Sequence, residues 1–292
     1  MSALWRLGEC NLTDSDTLSV RAMRPQEIEI ALDWAAAEGW NPGLADAACF
    51  AATDPAGFLL GEIEGAPAAI ISVINYDDRF AFLGFYIVRA DLRGRGYGQR
   101  MWQCGLAHAH SRTIGLDGVL AQQESYKQSG FVLSYRNVRY GGRLSVASAA
   151  NTVPLTAIPF AALAADDATV FPAARPAFLR AWIGAPGHIG RALVAEHQVR
   201  AWGVIRPCRV GFKIGPLVAD DRACAEKLLA VLVAAVGGGE IFLDVPEPNH
   251  EAAALAQSHG LVPVFETARM YTGPIRAIRL ERVFGVTSFE LG

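Results

Sequence analysis

The residues best suited to chemistry lie in one short run, Arg93-Gly94-Arg95-Gly96-Tyr97-Gly98. Glycines let backbone N–H groups approach a ligand with no Cβ in the way. The run sits between a strand-like stretch, Phe80–Val88, and a helical one, Gln99–Ser111. A helix N-terminus adds unpaired N–H groups and the positive end of a dipole, so the junction suits phosphate. Arg93 and Arg95 add charge-assisted contacts to the same anion. Two familiar phosphate loops do not fit. A Walker loop requires Gly-Lys-Ser/Thr, and the run has no lysine. The dinucleotide fingerprint is GxGxxG at the start of a βαβ unit, whereas this spacing is GxGxG and follows hairpin-type strands.

The flanking elements must hold that loop. Leu18–Met23 alternates as a half-buried strand does, and Pro25 opens a helix on which Ile28, Leu32 and Ala35 recur, with Gly39 as its stop. A second helix follows Asn41-Pro42-Gly43. Strands are expected at Gly57–Ile63, Ala68–Asn75 and Phe80–Val88, with Glu64-Gly65 and Asp77-Asp78 suited to antiparallel turns. After the loop come a helix, a strand at Gly118–Ala121, a helix at Glu124–Ser129 and a strand at Phe131–Tyr140. Hairpins combined with helical crossovers predict a mixed, mostly antiparallel sheet flanked by helices, an α/β (α+β) domain. Gly141–Asn151 reads as a linker, and the order of elements then repeats from Val153 to Tyr271. Two tandem domains are expected, residues 1–143 and 152–292.

Composition bounds the function. The 292 residues are 52% hydrophobic and 19% charged, enough apolar material for two cores. A net charge of −3 gives no basic surface for nucleic acid. The cysteines, Cys10, Cys49, Cys104, Cys208 and Cys224, form no CxxC pair and no metal spacing with histidine, so no metal is expected and free thiols in a reducing compartment are. MSALWRLGEC lacks the pattern of a signal peptide, and Ala223–Val236 is too short to span a bilayer. A cytoplasmic protein without a membrane partner is the expectation.

The chain resembles the GNAT N-acetyltransferases over Leu18–Tyr140. Arg93–Gly98 matches every fixed position of that family's pyrophosphate loop, (Arg/Gln)-x-x-Gly-x-(Gly/Ala). Ser125-Tyr126-Lys127-Gln128-Ser129-Gly130-Phe131 resembles its later block, in which an aromatic precedes a closing Gly-Phe. The resemblance implies acetyl-coenzyme A as cofactor, held by Phe85, Tyr86, Ile87, Val88, Arg93, Gly94, Arg95, Gly96, Tyr97, Gly98, Gln123 and Tyr126. A backbone N–H near Ile87 would polarise the thioester carbonyl, and Tyr126 would give a proton to the departing thiolate. The family often has Asn where this chain has Gln122-Gln123-Glu124.

The first two helices flank the acceptor pocket in that family. Trp34, Glu38, Trp40 and Asn41 lie there, and aromatic faces beside a carboxylate suit a cationic amine. Glu38 is the candidate base with Asp33 beside it; Asn75 and Tyr76 are further acceptor contacts. His108 and His110, two apart on a helix, face different ways and make neither a metal pair nor a base. In the second half Leu217-Val218-Ala219-Asp220-Asp221 replaces the glycine loop, and its carboxylates would repel pyrophosphate. That half is read as a GNAT repeat without a cofactor, with Asp244 and Glu247 as acidic contacts to the acceptor and an apolar tail, Val283–Gly292, packed onto a domain. The function so implied is acetyl transfer to a primary amine of a small molecule by direct attack. Two alternatives stay open: a non-catalytic acyl-coenzyme A sensor, and a protein acetyltransferase whose second domain docks a partner. A homodimer is also left open.

Overall fold

The structure, a computed structural model, describes residues 18–146 and 150–292. MSALWRLGEC, with Cys10, and part of the expected linker lie outside the described residues. The alternating run near Leu18 forms β1 (Ser19–Ala22), and Ile28, Ala31, Leu32 and Ala35 are the buried face of α1 (Ile28–Ala37). Next come α2 (Asp46–Ala51), β2 (Phe58–Ile63), β3 (Ala66–Asn75), β4 (Phe80–Val88), α3 (Tyr97–Ala109), β5 (Thr113–Val119), α4 (Gln123–Gln128) and β6 (Val132–Leu144). The second half repeats the order as β7 (Val153–Pro154), α5 (Phe160–Val170), α6 (Pro176–Gly184), β8 (Ile189–Ala195), β9 (Gln198–Pro207), β10 (Phe212–Ala219), α7 (Arg222–Ala235), β11 (Gly239–Pro246), α8 (His250–Ser258) and β12 (Val262–Tyr271), followed by β13 (Val283–Gly285).

Several local expectations change, among them the strand expected at Gly118–Ala121, which is β5 at Thr113–Val119 with a 3-10 turn over Leu120–Gln122. Gly141–Leu144 continues β6 rather than opening a linker. The glycine at 141 serves close approach, since a Cβ there would stand 2.9 Å from the Phe242 ring of the adjoining strand. The helix α5 went unread because its small residues and two aspartates carry no sustained apolar stripe.

All these strands join one sheet in the order β1-β2-β3-β4-β5-β12-β6-β11-β10-β9-β8-β7, with β13 against β10. The halves exchange their last long strands: β12 lies between β5 and β6, and β6 lies between β12 and β11. A shared core forms where α1, α2, α5 and α6 meet on one face; there Phe50 stacks on Trp182 with ring centres 6.3 Å apart. Alternate residues of β3 divide between this core (Ile70, Ile74) and one formed with α3 (Ile71, Val73), while α7 and α8 pack in a third.

Two buried ion pairs fasten the exchange. Arg139 of β6 grips Asp244 of β11 at 2.6 and 2.8 Å, and Arg269 of β12 grips Asp117 of β5 at 2.8 and 2.6 Å. Each arginine is the eighth residue of its strand and faces its aspartate in register. A slip of one residue would carry either guanidinium to the opposite face of the sheet and strand it unpaired. Asp244 is therefore consumed by Arg139 rather than offered to an acceptor, and Glu247 lies exposed beyond β11. Removing one partner of a buried pair leaves an uncompensated charge, so Asp244→Asn should lower unfolding stability by about 3–5 kcal/mol, read from urea titrations. A variant that also replaces Arg139 by methionine should recover much of that loss.

Candidate active site

The site begins with an irregularity in β4. Ile87 pairs with Ile70 and Gly84 with Ser72, so Phe85 and Tyr86 together oppose the single residue Ile71. This bulge bends the strand, and Phe85 takes a left-handed φ of 48°. Such a backbone costs on the order of 1–3 kcal/mol and persists because the Phe85 ring is buried in the shared core. β4 runs parallel to β5 only from Phe80–Thr113 to Leu83–Leu116. Beyond that point the strands part, and Gly84–Val88 and Asp117–Val119 become opposite walls of a cleft of about 570 Å³.

The glycine run closes one end of the cleft. Gly94 and Gly96 hold φ values of 77° and 84°, which residues with a Cβ rarely adopt. Gly96 is the N-cap of α3, and Arg100 N makes the first helical bond, to Gly96 O at 3.2 Å. The amides of Tyr97 to Gln99 thus lack helical acceptors at the dipole's positive end. A Cβ at Gly98 would lie 2.6 Å from the Tyr86 hydroxyl, so any side chain there displaces the end of that tyrosine. Gly94, Gly96, Gly98 and Arg93 line the cleft; the Arg95 side chain points to solvent, and Tyr97 is buried in the α3 core. Arg93 donates to Val88 O at 2.9 Å and pairs with Glu38.

Tyr126 stands on the wall opposite β4. Its ring stacks on Trp102 at 5.5 Å, and a Cβ at Gly118 would meet it at 2.2 Å, so glycine is required there. Burial, with a smaller contribution from Tyr86, pushes the phenol up to about 12, which keeps it protonated at neutral pH.

The other expected residues divide. Phe85, Tyr86, Ile87, Val88, Glu38 and Trp40 line the cleft, and Gln122 lines it in place of Gln123. Trp34 packs against the shared core, and Asp33 pairs with Arg209. Asn41 exchanges two 2.9 Å hydrogen bonds with Val210, tying the halves together. Asn75 donates to His108 O at 3.0 Å, and Tyr76 donates to Leu291 O at 2.7 Å; neither residue lines the cleft. His108 lies 3.1 Å from Asp54, a pin between α3 and the turn before β2. Among the described residues, no group of three or more His, Cys, Asp or Glu could hold a metal, and no helix is long and apolar enough to cross a membrane.

Phe265, Thr267, Phe289 and Glu290 of the second half complete the lining. Sequence reasoning missed them because they reach the cleft only through the strand exchange and the tail. The one available signal was the apolar character of Val283–Gly292, which is buried throughout.

The corresponding place in the second half is filled. β10 and β11 run parallel only over Phe212–Ile214 and Ile241–Leu243. Beyond this, β13 pairs with β10, and Val286 N donates to Asp244 O at 2.8 Å. The helix that follows β10 is capped by Asp221, which accepts from Cys224 N at 2.8 Å. A carboxylate and the chain's own tail thus stand where the first half has a glycine turn and an open cleft.

The first half of this duplicated α/β fold thus carries a bulged β4 parting from β5 above a glycine turn, and comparison with known proteins identifies its class. A model described as the acetyltransferase (GNAT) family matches residues 26–131, and one described as an acetyltransferase (GNAT) domain matches residues 164–285. Over 270 residues the chain is 32% identical to holothin acyltransferase of Pseudoalteromonas sp. (strain SANK 73390), covering 91% of this chain and 92% of that protein. A putative acetyltransferase from Pyrococcus horikoshii superposes with a TM-score of 0.79 at 25% identity, covering 97% of this chain and 99% of that one. A tandem GNAT protein from the clavulanic acid biosynthesis pathway superposes with a TM-score of 0.60 at 16% identity, covering 88% and 99%, and speaks to the fold alone. The chain belongs to the GNAT family, as a tandem member and an N-acyltransferase.

The tail's position against β4 has a measurable consequence. A Cβ at Gly84 would stand 2.0 Å from the carbonyl oxygen of Glu290, a backbone atom that cannot swing aside. Gly84→Ala should therefore cost about 1–3 kcal/mol in thermal unfolding, as overpacked sites do.

Proposed function

We propose that this protein transfers an acetyl group from acetyl-coenzyme A to a primary amine of a small molecule, by direct attack in the first-half cleft. The observation that carries this reading is the parting of β4 and β5 above the glycine turn, with Tyr126 facing the gap. The residues fit the cofactor. The left-handed Gly94 and Gly96, the amides at the start of α3 and the guanidinium of Arg93 suit a pyrophosphate, with Arg95 nearby in solvent. The walls formed by Gly84–Val88 and Asp117–Val119 suit an extended pantetheine arm, with Gln122 rather than Gln123 as its polar neighbour.

When bound, acetyl-coenzyme A supplies the activated thioester carbonyl. The backbone N–H of Ile87 is the donor assigned to that carbonyl oxygen, where negative charge develops. Tyr126 gives its proton to the thiolate sulfur. Glu38 and Trp40 form the acceptor side near the loop, where Arg93 holds the Glu38 carboxylate. Trp34, Asn41 and Asn75 act at a distance from the acceptor, through packing and hydrogen bonds. The name of the holothin acyltransferase relative favours a small-molecule acceptor over a protein, as does a cleft lined by aromatic rings from both halves. A protonated phenol facing the cofactor gap favours an enzyme over a sensor. Free thiols at Cys49, Cys208 and Cys224 accord with action in the cytoplasm.

Incubation with acetyl-coenzyme A and an amine panel, following released thiol, tests the reading directly. Failure to bind coenzyme A at all would sink it. Tyr126→Phe should lower kcat by roughly 10²-fold, the usual scale for a lost general acid, with the Kd for coenzyme A nearly unchanged. The sign of the Tyr126 shift also fixes a pH profile. An acid must be protonated to act, and raising its pKa extends that form upward, so kcat should show no falling limb from this group below about pH 10.

A further inference from the structure

Buried carboxylates elsewhere in the protein are saturated. Asp46 accepts from Gly43 N and Arg206, Asp167 from Arg175, Asp117 from Arg269 and Asn137, and Asp244 from Arg139. Glu290 is the exception among the described residues: it is 3% exposed, and neither carboxylate oxygen has a hydrogen-bond partner. Lys213, Arg139 and Arg206 all lie within electrostatic range of this carboxylate, yet none of them donates a hydrogen bond to it, and Lys213 Nζ makes none at all. A buried carboxylate without a hydrogen-bond donor opposes folding, and such arrangements concentrate where function requires them.

Its position gives the reason. The tail that carries Glu290 is clamped at several points. Arg175 donates to Thr287 Oγ1 at 2.8 Å and to Gly292 O at 3.0 Å, and Tyr76 donates to Leu291 O. The Glu290 backbone abuts Gly84, immediately before the bulge of β4, and the residue lines the cleft beside Trp40, Phe265, Thr267 and Phe289. Glu38, by contrast, sits at the exposed rim in the grip of Arg93.

We propose that Glu290 is a catalytic residue of the first-half site, receiving the acceptor's ammonium group and taking its proton. The inference rests on the acyltransferase reading above. It also narrows the acceptor to a compact monoamine with a flat apolar body, since aromatic rings surround a single open carboxylate. One N–H proton passes to Glu290, and the freed nitrogen lone pair attacks the thioester carbonyl carbon. The C–N bond forms as the C–S bond breaks. The thiolate takes the Tyr126 proton, the nitrogen's surplus proton returns to the phenolate, and Glu290 releases its own to solvent. Amide, free thiol and one proton are the products.

The test compares wild type with Glu290→Gln and Glu290→Asp, using benzylamine, aniline, spermidine and a lysine-containing peptide as acceptors. The expected result for Glu290→Gln is a loss of about 100-fold or more in kcat/KM with benzylamine, the scale of a missing general base. The loss should be smaller with aniline, which is already neutral. Coenzyme A affinity should hold, while the Tm should fall somewhat, because the buried Arg139, Arg206 and Lys213 lose a nearby counter-charge. Glu290→Asp should retain more activity than Glu290→Gln, and spermidine and the peptide should be poor acceptors for wild type. An active wild type whose Gln variant keeps more than about a third of kcat/KM overturns the assignment, as does a loss matched by falling coenzyme A affinity. A wild type inactive with every amine overturns the acyltransferase reading itself, and this inference with it.

Discussion

Two guanidinium–carboxylate pairs, Asp117–Arg269 and Asp244–Arg139, govern how the two halves meet. Each joins one half's penultimate long strand to the other half's last, and each is almost fully buried. Desolvating four charges is costly, and the attraction within each pair does little more than offset that cost. What the pairs supply is register, because only the observed alignment sets each guanidinium opposite its carboxylate on the same face of the sheet. Asp117 is also part of the cleft wall, so the device that sets the register also positions the parted end of β5. Asn137 of β6 donates to the same carboxylate at 2.7 Å, adding a third strand to the arrangement.

The site follows from that geometry. The exchange brings Phe265 and Thr267 of β12 beside β5, and the tail beyond β13 then crosses from the second half's filled slot to the first half's open one. Duplication has thus produced division of labour: one half keeps a bulge, a glycine turn and a tyrosine, while the other contributes walls. The strained Phe85 is tolerable because Phe50 and Phe58 enclose its ring at 5.8 and 6.0 Å.

Much of this was legible in the sequence. The glycine run, the strand before it and the block around Tyr126 are local signals, and local signals survive without tertiary knowledge. Gln122 against Gln123 was a matter of one residue at a helix start, where facing turns by about 100° per residue. Trp34, Asn41 and Asn75 were read as acceptor contacts from residue type, but type does not tell which side of an element meets a cleft. Glycines at 141 and 142 looked like a linker and instead admit a neighbouring strand. The strand exchange itself left no trace in periodicity, since an exchanged strand needs the same alternation as one paired within its own half.

The exchange also sets an order of events during synthesis. A ribosome delivers the first half complete in sequence but with the edge of β5 open, because its neighbour β12 begins only at Val262. Until the closing stretch emerges, that edge is a template for mispairing, and the nearest competitor is β6, already present and, at 13 residues, longer than the 7-residue β5. Arg139 facing Asp117 from β6 would then be a natural error, a like-for-like pair that the finished protein must undo.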